Sequence, residues 1–194
     1  MQDSSHWHIE TIVAQSADHM QMVTAVRGAV FLAENEWAQM ATFSGEFHAN
    51  DFNATHILTL VNGDPAGIMR IRWFRDFAIM ERIGIRARYR SYAVFVDLSE
   101  FAVQHIREKG YTKIAGRAYG KTWQMWKRLI GATRSGPCMT IDRGHLWPMI
   151  VEKSPLADSV SDLAFGTPEV EELITQREGQ WDFCLIRRAQ ESAA

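Results

Sequence analysis

The chain is poor in cysteine and proline, has no surplus of positive charge and contains no long apolar run. Its 194 residues include 2 cysteines and 5 prolines, and the formal net charge is −2. Cys138 and Cys184 have neither metal-ligand nor redox spacing, which points to two reduced, buried thiols in a cytosolic protein. A net-acidic chain offers no global basic field for nucleic acid. No apolar run is long enough to span a membrane, and the polar N-terminus lacks the apolar segment of a signal peptide, so the expected location is cytoplasmic. Internal repeats and low-complexity segments are also missing. What is present is ordinary for a globular protein: 46% hydrophobic and 23% charged residues, enough for one domain with a substantial core. The 7 tryptophans are many; most belong in the core and some line a cleft.

Hydrophobic periodicity and turn residues predict the order of elements. His8 to Ala14 alternates and reads as a first strand. Ser16 or Asp18 caps a helix from about His19 to Ala33, with Met20, Val23, Val26, Val30 and Phe31 on one face. Residues 34–53 read as a short helix and a polar, aromatic loop. Thr55–Val61 and Ala66–Phe74 form a hairpin about Asn62-Gly63-Asp64-Pro65, and Phe77–Ile85 follows as a third strand. A helix of about five turns runs to Lys109 and ends at Gly110. Thr112–Ala118 returns parallel beside the preceding strand, making a right-handed βαβ unit. Lys121–Ile130 is a short helix closed by Gly131. Ala132–Ile141 and His145–Val151 are strands. The remainder is a polar stretch, a helix opened by Thr167-Pro168, and a last strand at Trp181–Arg187 that could pair with a neighbouring subunit. The prediction is one domain, 1–194, with its core at about 8–151 and a C-terminal extension at 152–194.

One segment carries the clearest chemistry. Phe77 to Gly110 reads as strand, arginine-bearing turn and helix. The start of a helix leaves backbone N–H groups unpaired and carries partial positive charge, which suits an anion such as phosphate. Arg86, Arg88 and Arg90 add to that field, and 7 arginines fall between Arg70 and Arg90. The turn has no glycine. Arg70 and Arg72 read as solvated strand positions or partners of acids. His48, Asp51 and His56 match no strong metal pattern, so no metal is expected. His145, in the turn Asp142-Arg143-Gly144-His145, is either a base or a turn residue bonded to backbone.

The order of elements resembles that of the GNAT superfamily of N-acyltransferases. The segments that carry the likeness are VRGAVFLAENEW (26–37), THILTLVNGDPAGIMRIRWF (55–74), MERIGIRARYRS (80–91), FAVQHIREKGYTKIAGRA (101–118) and TWQMWKRLIGA (122–132). The resemblance implies an α/β fold: a mixed, mostly antiparallel sheet, with a V-shaped splay between strands 4 and 5 and helices on its flanks. It implies transfer of an acyl group, by default acetyl, from a thioester to an amine by direct attack. Acetyl-coenzyme A or another acyl-coenzyme A is the implied donor. Members that make acyl-homoserine lactones or N-acyl amino acids are also similar, and they imply acyl carrier protein as the alternative donor.

The resemblance also implies residue roles. Ile83, Ile85, Arg86, Arg88, Arg90, Ser91, Tyr92 and Ala93 would hold the donor. Glu81 would take the amine's proton, its other reading being an ion pair with Arg70, Arg72 or Arg82. Tyr119 would donate a proton to the leaving thiolate, with Tyr92 as a rival. Glu34, Trp37 and Asp51 would face a small-molecule amine, which the sequence does not specify. The sequence departs from the family at three points. Ala93 stands at the fourth loop position, where glycine is usual, Phe95 at the sixth, where glycine or alanine is usual, and Trp126 where a tyrosine is common. A protein that keeps the fold and only binds a ligand or partner is the non-catalytic alternative.

Overall fold

The computed structural model describes residues 6–34, 51, 54–120, 122–141, 144–154 and 156. The predicted short helix in 34–53, the helix after Thr167, the strand Trp181–Arg187, and Trp37 and Cys184 lie outside the described residues.

Strand β1 (Ile9–Val13) pairs antiparallel with β2 (Ala54–Val61), with Ile9 opposite Val61 and Val13 opposite Ile57. Ser16 is the cap of α1 (Ala17–Arg27), its side chain accepting the His19 N–H at 3.1 Å. The helix does not keep α geometry to Ala33. From Gly28 to Glu34 it widens into a π-helical stretch. Neighbours in a regular α-helix point about 100° apart. Here the adjacent Val30 and Phe31 are both buried. They press on Gly84, where an added Cβ would lie 3.2 Å from both Phe31 Cζ and Val30 Cγ1. Glycine at 84 permits that approach.

Asn62 and Gly63 have φ of 52° and 83°, so both are left-handed and form a two-residue hairpin turn. They join β2 to β3 (Asp64–Trp73), which starts two residues before the predicted Ala66. Next come β4 (Ala78–Ile85), a single 3₁₀ turn (Ala87–Tyr89) and α2 (Tyr92–Glu108). Ser91 opens α2: its Oγ accepts the Val94 N–H at 3.3 Å and its carbonyl accepts the Phe95 N–H at 3.2 Å. The arginine turn therefore precedes the helix. Gly110 closes α2 with φ 81°.

Strand β5 (Lys113–Tyr119) runs parallel to β4, from Ala78 opposite Ile114 to Met80 opposite Gly116, so the predicted βαβ unit is present. Helix α3 (Thr122–Ile130) ends at Gly131, φ 74°. The predicted strand Ala132–Ile141 is two strands, β6 (Thr133–Arg134) and β7 (Met139–Ile141). Pro137 lies between them and has no N–H to donate, so the ladder breaks there. Both pieces pair antiparallel with β8 (Gly144–Glu152), which also pairs with β5. The sheet is open and mixed, in the order β1-β2-β3-β4-β5-β8-β6, with β7 on β8.

The described residues fall into two compact units. The first lies within Met1–Ile71 and Arg82–Ala102. Val23, Val26, Val30, Phe31, Leu58 and Ile68 form its core. The second lies within Arg72–Glu81 and Val103–Ala194. In it the Trp73 ring packs against Tyr111 and His105, with centroids 5.1 and 5.9 Å away. In the same unit the Arg134 guanidinium lies 4.1 Å from the Trp123 ring and 3.6 Å from the Trp147 ring. No described helix is long and apolar enough to cross a membrane.

Candidate active site

In the first unit the arginine turn is held from several sides. The Arg86 N–H donates to the Ala66 carbonyl at 2.9 Å, and its guanidinium donates to the Pro65 carbonyl at 2.8 Å. The Tyr89 hydroxyl donates to Asp64 at 2.6 Å, and the guanidinium carbons of Arg86 and Arg88 each lie 5.4 Å from the Tyr89 ring centre. Arg90 folds back, its Nε and a terminal nitrogen donating to the Ile85 carbonyl at 3.2 and 3.0 Å. The same guanidinium is ion-paired with Glu34, whose other oxygen accepts the Ala87 N–H at 3.1 Å. The N–H groups of Tyr92 and Ala93, the first two residues of α2, have no partner among the described residues. The Tyr92 side chain beside them is exposed. Phe95 lies in the helix and is half-buried.

A second cluster in this unit was not legible in the sequence. Asp51 accepts from Arg27 at 2.7 Å with one oxygen and from Arg70 at 2.9 Å with the other. His56 Nδ1 lies 2.9 Å from the same Arg27 guanidinium. Arg70 and Arg27 are fully buried, and His56 is 4% exposed. Arg70, read from alternation as solvated or acid-paired, is the latter. Burial pushes the Asp51 carboxyl up, but the hydrogen bonds from Arg27 and Arg70 outweigh it and hold the group below the usual range. Burial, then the Arg27 charge, lower His56 from 6.5 to about 4, against a weaker opposing pull from Asp51.

A pH dependence of stability follows. The unfolded chain takes up the His56 proton near 6.5 and the folded chain only near 4, so the folded state binds fewer protons between those values. The stability from neutral His56 is complete above about pH 6.5 and is lost as pH falls toward about 4, about 3 kcal/mol in all. Asp51 adds a further loss at lower pH, as its lowered folded-state pKa is crossed. Denaturant unfolding measured from neutral to about pH 4.5 should show this slope. His56→Gln should flatten it, and an unchanged slope in that variant would assign it to other groups.

In the second unit Glu81 pairs with Arg72, Oε1 to Nε, at 2.6 Å, with both side chains partly exposed. The ion-pair alternative is thus realised with Arg72. The next residue, Arg82, has φ 53°, a left-handed residue inside a strand. Such strain, about 1–3 kcal/mol, persists where the surroundings hold it and clusters at functional sites. Tyr119 ends β5 with its side chain 40% exposed, and its carbonyl accepts from Thr122 at 2.6 Å. Trp126, which the resemblance set against a family tyrosine, is buried. His145 is exposed and lies in β8 opposite Thr140, not in a turn, and its backbone carbonyl accepts the Gly120 N–H at 2.9 Å. Of the sequence-derived site residues, the structure joins Glu34 to Arg90 and Arg90 to Ile85. Asp51 is drawn instead into the buried arginine cluster. Ile83 is half-buried in β4.

No protein-family model matches this sequence, and no curated protein matches it. Solved structures do. ElaA from Escherichia coli is similar with a TM-score of 0.64 at 15% identity, covering 75% of this chain and 99% of that one. An acyl-CoA N-acyltransferase from Pseudomonas aeruginosa gives 0.62 at 14% identity, covering 75% and 99%. FeeM, an N-acyl amino acid synthase from uncultured soil microbes, gives 0.60 at 8% identity, covering 75% and 91%. The chain has the GNAT fold. At such identities the likeness is one of fold. The strand, turn and helix at 78–108, with the parallel return of β5, form the βαβ unit that the sequence predicts.

Proposed function

We propose that the protein is an N-acyltransferase that moves an acyl group from a thioester to an amine. The observation that carries this reading is the unit from β4 through the arginine turn to α2 in a GNAT fold. Its cationic turn and the open N–H groups of Tyr92 and Ala93 suit the donor's phosphates. The amine nitrogen attacks the thioester carbon, the C–N bond forms, the C–S bond breaks, and the thiolate leaves with a proton. Glu81 accepts the proton lost by the amine, directly or through water. Tyr119 is the first choice to protonate the thiolate, and Tyr92 the second. No covalent enzyme intermediate is required.

Acetyl-coenzyme A or a longer acyl-coenzyme A is the default donor. Acyl carrier protein is the second reading. It is favoured by the Glu34 carboxylate already on the turn and by Arg90 on the Ile85 carbonyl. The reading is tested by incubating the protein with acetyl-coenzyme A, long-chain acyl-coenzyme A or acylated carrier protein and a panel of amines. Mass spectrometry then looks for amide products, alongside thermal-shift titrations of each donor. Amide formed with one donor class supports the proposal and names the donor. Stabilisation by a donor without product under any condition would overturn catalysis and leave a binding protein.

A further inference from the structure

The Glu34 carboxylate sits on the donors that an incoming phosphate needs. One oxygen accepts the Ala87 N–H at 3.1 Å and the other takes the Arg90 guanidinium. A backbone N–H beside a guanidinium is a set that holds phosphate oxygens, and a carboxylate offers it two oxygens in much the same way. The bridged residues are 53 and 56 positions apart, so the contact comes from tertiary folding and not from local turn chemistry. Glu34 is delivered there as the last residue of the π-helical stretch, whose Val30 and Phe31 are anchored on Gly84. The pair itself faces water: the Arg90 side chain is 56% exposed and that of Glu34 27%. Ion pairs so exposed are weak, so this one can be exchanged without disturbing the core beneath it.

We propose that Glu34 is a built-in competitor for the anion site of the turn. It occupies Ala87 and Arg90 when no ligand is present, and the donor's phosphate displaces it. The inference rests on the reading of the turn as the donor's phosphate site, and it names a control on that site: donor affinity is set partly by the carboxylate that must leave.

The test is calorimetric titration of the full chain with coenzyme A, inorganic pyrophosphate and pantetheine, which lacks the diphosphate. Glu34→Gln should tighten coenzyme A and pyrophosphate by about three- to tenfold and leave pantetheine unchanged. Glu34→Ala should act in the same direction, and Arg90→Ala should abolish the gain. Unchanged or weaker binding of both phosphate ligands in folded Glu34 variants would overturn the inference, as would equal tightening of pantetheine. Amide synthesis by a protein whose Glu34 variants bind no tighter would remove this inference and leave the proposed function standing. Tighter phosphate binding with no acyl transfer would do the reverse.

Discussion

Asp51→Ala should destabilise the protein by about 3–5 kcal/mol, the range for removing one partner from a buried ion pair. The reason is local. Asp51 bonds the guanidinium groups of Arg27 and Arg70 at 2.7 and 2.9 Å, and both arginines are fully buried. Removing the carboxylate leaves two buried cations facing one another across a gap, with neutral His56 beside them. For a chain of this length the loss corresponds to a fall in melting temperature of about 10 °C. Asp51→Asn should fall between wild type and alanine, because it keeps an acceptor but loses the charge. Replacing Asp51, Arg27 and Arg70 together by leucine and methionine should recover much of the loss, since no uncompensated buried charge then remains. Thermal melts of the three variants are the measurement, and a melting temperature for Asp51→Ala within about 2 °C of wild type would show that the cluster is held by other groups.

The second large effect is on chemistry. If Glu81 takes the amine's proton, Glu81→Gln should lower kcat by about 10²-fold or more, the usual share of a general base. Donor affinity should change by less than about twofold, because glutamine keeps the size and hydrogen-bonding reach of glutamate. The Arg72 pairing at 2.6 Å offers a rival explanation, in which Glu81 merely orders the strand. The two are separable. Loss of a base removes the acidic limb of the pH–rate profile, whereas loss of an ordering contact lowers the whole curve without changing its shape. Turnover that is unchanged across pH would remove Glu81 from the mechanism.

Local signals were readable from the residues wherever one residue type answers one backbone need. Ser16 caps α1, Asn62-Gly63 makes the tight hairpin, and Gly110 and Gly131 end their helices in left-handed conformations. The parallel return of β5 followed from the length of the intervening helix. Periodicity misled where packing or covalent geometry overrode it. Val30 and Phe31 are inside as expected, but the helix that reads as continuous widens from Gly28, and Pro137 divides what reads as one strand. The candidate site was legible as a turn rich in arginine but not in its pairings. Glu34 meets Arg90, and Asp51 meets Arg27 and Arg70, across separations that no local pattern encodes. A buried arginine on a strand such as β3 looks in sequence like a solvated one. Its meeting with Arg27 of α1 around one aspartate becomes visible only when the chain is folded.

The contact of Val30 and Phe31 with Gly84 also constrains how this sequence can drift. A methyl group at 84 would meet side-chain atoms of both residues at 3.2 Å, so alanine there requires Val30 and Phe31 to give way by a few tenths of an ångström. A smaller residue at 30 or 31 would open the space, at the expense of a cavity until 84 fills it. Positions 30, 31 and 84 are therefore epistatic: the cost of a substitution at one depends on which residues stand at the other two.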